Sequence, residues 1–120
     1  MSGQLYFNGV LQIPTHVVSF QSFAVSTNTI IPVSAYDQVY FVTAGAGGVT
    51  ITLPSSAATG NYKILIIQVD TGGGGVTINC AGLDTIEGNS TKTLAAQYAK
   101  LAIIGDSGVI GWYDLGDGAV

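Results

Sequence analysis

Val49-Thr50-Ile51-Thr52-Leu53 alternates without a break: the odd positions are apolar and the even ones are threonine. Successive side chains of a β-strand point to opposite sides, so period 2 marks a strand with one buried face. Val76-Thr77-Ile78-Asn79-Cys80 repeats the pattern. The two stretches belong to a longer echo. Gly47-Gly48-Val49-Thr50-Ile51-Thr52 matches Gly74-Gly75-Val76-Thr77-Ile78-Asn79, 27 residues later. Two copies are too few to specify a solenoid, so the echo reads as two similar strands that each follow a glycine turn.

Other strands extend outward from this pair. Tyr62-Lys63-Ile64-Leu65-Ile66-Ile67-Gln68-Val69 is apolar on both faces in its middle, which predicts a central strand covered on both sides. Leu101-Ala102-Ile103-Ile104 is similar, and Gly111-Trp112-Tyr113-Asp114-Leu115 reads as a last, aromatic strand. Leu94, Tyr98 and Leu101 recur at helical spacing, but the β-branched residues on either side favour strand there. Gly72 to Gly75 can turn the chain between Val69 and Val76, and Gly105-Asp106-Ser107-Gly108 can turn it before Trp112. Asn8-Gly9, between Gln4-Leu5-Tyr6-Phe7 and Val10-Leu11-Gln12-Ile13, suits a type I′ turn and predicts a hairpin over residues 4–13.

The predicted fold class is therefore all-β: a compact antiparallel β-sandwich or jelly-roll-like domain with an N-terminal hairpin and arm. Residues 1–35 form the hairpin and arm, and residues 36–120 form the core.

Composition narrows the function. Charged residues make up 8% of 120, three Lys and no Arg against seven acids, for a net charge of -4. Ordinary soluble domains carry roughly 25%. Such a chain lacks the cationic surface that neutralises phosphates, so nucleic acid is not an expected partner. At 48% hydrophobic it is no disordered tail. No apolar run approaches the ~20 residues of a spanning helix, so no membrane partner is expected. The first residues carry no Lys or Arg ahead of an apolar stretch, so no signal peptide is expected.

Catalytic and metal chemistry lack their parts. One Cys and one His do not make a four-ligand zinc site. Cys80 continues the apolar phase of Val76 and Ile78 and reads as a buried small hydrophobe. Asp106-Ser107 would need His16 as its base, and nothing else in the chain supplies a triad. The glycine clusters lead into strands, not into the Lys-Ser/Thr and helix of a phosphate loop. Asp114 and Asp117 fall short of the six or more oxygens that calcium takes. No enzyme activity, cofactor or metal is expected. Trp112 and Tyr113 are candidate contacts for a glycan or a protein partner, the alternative being a core Trp on the last strand. Leu5, Tyr6, Phe7, Val10 and Leu11 are the candidate docking residues of the hairpin.

The order of these pieces resembles a β-domain of bacteriophage virion surface proteins, the tail-fibre and capsid-decoration type. The resemblance rests on Val49-Thr50-Ile51-Thr52-Leu53-Pro54, then Val76-Thr77-Ile78, then Asp84-Thr85-Ile86-Glu87-Gly88, then Trp112. It covers about residues 39–116, and Phe7-Asn8-Gly9-Val10-Leu11-Gln12 is similar to hairpins of phage fibre proteins. It implies a homotrimeric, non-enzymatic structural role at the particle surface, with the major capsid protein or other virion proteins as partners. Fibres of this kind are commonly much longer. That favours a capsid decoration (cement) protein, with a short fibre tip that touches host glycans as the alternative. A cellular carbohydrate-binding module is a further reading from another class.

Composition points to self-assembly on its own account. Strand edges are ordinarily guarded by Lys, Pro or bulges, and this chain has three Lys and three Pro. Neighbouring copies would cover what these residues do not guard.

Overall fold

Val49 and Val76, the two ends of the echo, lie side by side. In the computed structural model they are register partners, and Thr50–Thr77, Ile51–Ile78 and Thr52–Asn79 follow in step on two parallel strands. The 27-residue spacing is the length of one complete winding of the chain. The structure describes residues 20–34, 36–59, 62–106 and 111–116.

The winding places alternate strands in alternate sheets. β1 (Phe20–Val25), β3 (Asp37–Val42) and β5 (Lys63–Gln68) enter one sheet. β2 (Thr29–Ile30), β4 (Val49–Thr52) and β6 (Val76–Asn79) enter the other. Each return through the opposite sheet brings the chain back in the same direction, so all of these neighbours pair parallel. A four-residue helix, α1 (Ser56–Thr59), lies between β4 and β5.

After β6 the chain reverses. β7 (Thr91–Leu94) pairs antiparallel with β6, β8 (Lys100–Gly105) with β5, and β9 (Trp112–Asp114) with β8. The result is a five-stranded sheet, β1-β3-β5-β8-β9, and a four-stranded sheet, β2-β4-β6-β7. Both sheets are mixed, which corrects the expectation of antiparallel sheets. Alternation reports one buried face and is blind to strand direction. β5 takes the predicted central place, although only one of its faces is buried within the chain.

Inward residues of both sheets build one core. Ile64, Ile66, Leu101, Ile103, Tyr40 and Val42 come from the larger sheet, and Val49, Ile51, Val76 and Ile78 from the smaller. Fully burying a side chain such as Ile78 stabilises the fold by roughly 2–3 kcal/mol. Phe23 stacks on Tyr40 with ring centroids 5.0 Å apart and joins β1 to this core. The boundary read near residue 35 falls between β2 and β3, and strands on both sides of it share the same two sheets.

The glycine clusters permit the winding. Turns 45–48 and 72–75 stack on each other, and Gly74 N donates to Gly45 O at 3.2 Å. A Cβ on Gly74 would run into the backbone of Gly47 and Gly48. Asp70 closes the stack. Its carboxylate accepts from Ala44 N at 2.8 Å and from Gly45 N at 3.0 Å. These two donors hold the Asp70 carboxyl below its ordinary value.

Candidate functional site

Register fixes which side chains share each outer face. In the four-stranded sheet Thr50, Thr77 and Thr93 form one row, and Ile30, Thr52, Asn79 and Thr91 form the next. Apart from Ile30, these are hydroxyl and amide side chains that water can satisfy.

The five-stranded sheet has a different outer face. Val39, Leu65 and Ala102 form its central row, opposite in phase to the buried Tyr40, Ile66 and Leu101. Phe41, Ile67 and Lys100 lie on one side of that row. Lys63, Ile104 and Tyr113 lie on the other, with Phe20 and Asp37 beyond. Val39, Leu65, Ile67, Ala102 and Ile104 are partly exposed, and Phe41 is 41% exposed. An apolar groove of about 280 Å³ crosses this face, walled by Phe20 and Leu115 and floored by Val39, Leu65 and Ala102. Asp37 and Lys63 stand together at one end, where Asp37 Oδ1 accepts from Lys63 N at 2.9 Å.

Trp112 and Tyr113 point opposite ways. Trp112 is 1% exposed and belongs to the core. Tyr113 faces outward, and its hydroxyl meets Asp106 Oδ2 at 3.3 Å. Of the pair, the tyrosine alone is presented to a glycan or a partner. Leu5, Tyr6, Phe7, Val10 and Leu11 of the hairpin lie outside the described residues, as do His16 and Ser107. Cys80 is partly buried against the core, and burial pushes its thiol up.

The segment Asp84-Thr85-Ile86-Glu87-Gly88 clasps the last strand. Thr85 O accepts from Trp112 N at 2.7 Å, and Trp112 O accepts from Glu87 N at 3.1 Å. Glu87 Oε2 accepts from Asp114 N at 3.1 Å. Asp84 Oδ2 accepts from the buried Ser56 N at 2.9 Å, and Ser56 Oγ accepts from Gly111 N at 2.8 Å. The Ser56 hydroxyl thus accepts from backbone inside the core, and Asp84 holds the Ser56 amide. These bonds fasten α1 and the Asp84 segment to the start of the last strand.

Among the described residues no three His, Cys, Asp or Glu gather as metal ligands, and no helix is long and apolar enough to cross a membrane. The apolar face was partly legible as the two-faced apolar middle of residues 62–69. Its partners from β3 and β8 were not, because register is needed to align them. No protein-family model matches the chain, and no characterised protein matches it in sequence.

Proposed function

We propose that this protein is a non-enzymatic structural component of a bacteriophage particle, a homotrimer that decorates or stabilises the capsid surface. The observation that carries the reading is the aliphatic outer face of the five-stranded sheet, from Val39 through Leu65 to Ala102. A sheet of this kind belongs to a subunit that other protein covers, because large exposed apolar patches mark interaction sites or become liabilities. Obligate interfaces resemble a core cut in half, and closed cyclic symmetry limits assembly to a fixed number of copies. The resemblance of residues 39–116 to virion surface domains supplies the setting. In this reading the two sheets form a sandwich, the N-terminal segment docks the trimer to capsid protein, and the clasp around Trp112 rigidifies each subunit.

Immunogold labelling of intact particles tests the placement. Label over the heads is the expected result. Label confined to tails would transfer the protein to the fibre-tip reading, with host glycans as its contact. Absence of label from purified particles would end the virion reading.

A further inference from the structure

We propose that copies of this chain meet through the outer face of the five-stranded sheet, with Phe41 of one copy seated in the Val39–Leu65–Ala102 groove of the next. The inference rests on the self-assembling trimer read above and assigns its contact surface.

Three observations carry it. The first is charge. Asp37 and Lys63 stand together at one end of the face, where the Asp37 carboxylate accepts from the Lys63 backbone N, and Lys100 stands at the other. The row between them, Val39, Leu65 and Ala102, is uncharged. An ordinary protein surface, with roughly a quarter of its residues charged, would bury unpaired charges against this row at high cost. The fitting partner is itself uncharged and apolar, and this chain carries such a surface.

The second observation is shape. The groove of about 280 Å³ lies just below the range of small-molecule sites, roughly 300–1,000 Å³. Among the described residues that line it, Asp37 and Lys63 are the charged ones and Gln38, itself buried, is the one further polar side chain, so few polar groups converge to orient a ligand. One row away, Phe41 projects from the same sheet with 41% of its surface exposed. The face thus offers both a projection and a recess, at different places. Contacts that join two different patches run head to tail, and they close into a ring when the rotation allows.

The third is area. Four strands of six residues and one of three, at about 3.3 Å per residue and about 4.8 Å between strands, give a flat footprint of roughly 430 Å². Accessible surface over projecting side chains exceeds that projection. It therefore supplies more than half of the roughly 800 Å² per partner of a standard interface.

The test compares full-length wild type, Leu65→Lys and Thr77→Lys by light scattering, with circular dichroism as the check of fold. Wild type and Thr77→Lys should show about three chain masses, and Leu65→Lys one. A Leu65→Lys protein that stays trimeric would overturn the inference. Should Leu65→Lys not fold, labelling decides. Ala102→Cys and Thr77→Cys are each placed in a Cys80→Ser background and alkylated. Ala102→Cys should react at least about tenfold more slowly, because the interface shields it. Equal rates would overturn the inference. A monomeric wild type with a shielded Ala102→Cys would assign the face to residues 1–19 of the same chain, and that too would overturn it. Particle labelling reads the virion role separately, so either claim can fail while the other stands.

Discussion

The two outer faces of this protein are built on the same alternation and end in opposite chemistry. Thr50, Thr77 and Thr93 line the four-stranded sheet, while Val39, Leu65 and Ala102 line the five-stranded one. Inward, both sheets present Ile and Val to one core. Threonine keeps the β-branched shape that suits a pleated surface while giving water a hydroxyl. The aliphatic row gives water nothing. The inward half of each strand builds the fold, and the outward half records what lies beyond it.

The sharpest way to break this division is to truncate an inward residue. Ile66 has no exposed surface and sits in the central strand. Ile66→Ala should cost about 3–4 kcal/mol, from lost burial and the cavity left behind. Chemical denaturation measures it. A cost below about 1 kcal/mol would show that the inner faces do not pack as one core.

Next comes the stack of turns that joins the windings. A Cβ on Gly74 meets backbone, whereas one on Gly73 meets nothing within 4 Å. Gly74→Ala should therefore destabilise by about 2–3 kcal/mol through overpacking. Gly73→Ala should change stability by less than about 1 kcal/mol. Matched thermal melts of the two neighbours would test the parallel winding itself, because hairpin-linked strands would not bring Gly74 onto Gly48.

A smaller effect comes from Tyr40, which points inward between the outward Val39 and Phe41. Burial pushes its phenol up to about 12, above an unfolded value of about 10. The folded state then holds the proton that the unfolded chain releases. The stabilisation is complete below about pH 10 and is lost as pH rises towards 12. Tyr40→Phe should flatten this alkaline decline in the unfolding midpoint. An unchanged slope in the variant would place Tyr40 in contact with water.

These sites also show what the sequence could and could not reveal. The strands over 49–53, 62–69, 76–80, 101–104 and 111–115 were legible because alternation and β-branching report one buried face. Their direction was not. Val49–Val76 and Gln38–Ile64 are parallel partners only because the chain crosses to the other sheet and returns, and no local pattern encodes a crossing. The echo held the clue, since strands one winding apart occupy equivalent positions and come to resemble each other. Antiparallel closure by β7, β8 and β9 breaks the repeat, so only two copies stand out. Trp112 was legible as an aromatic strand residue, but its clasp by Thr85 and Glu87 joins segments 25 or more residues apart. The apolar face needed three strands in register before its rows could be seen.

The smallest effect is the one that most sharpens the comparison of faces. Thr77 lies in the middle of the threonine row, between Thr50 and Thr93. Thr77→Val keeps the branched shape and removes a hydroxyl that faces solvent. Stability should move by no more than about 0.5 kcal/mol, as at an ordinary surface position. The informative readout is solubility. If the threonine row is the face left to water, adding valine should lower the solubility limit without altering the assembled mass. If the variant instead gains mass in light scattering, a single methyl-for-hydroxyl exchange has turned the threonine face into a second contact surface. The distinction between the faces would then rest on the hydroxyl row alone and not on the architecture of the two sheets.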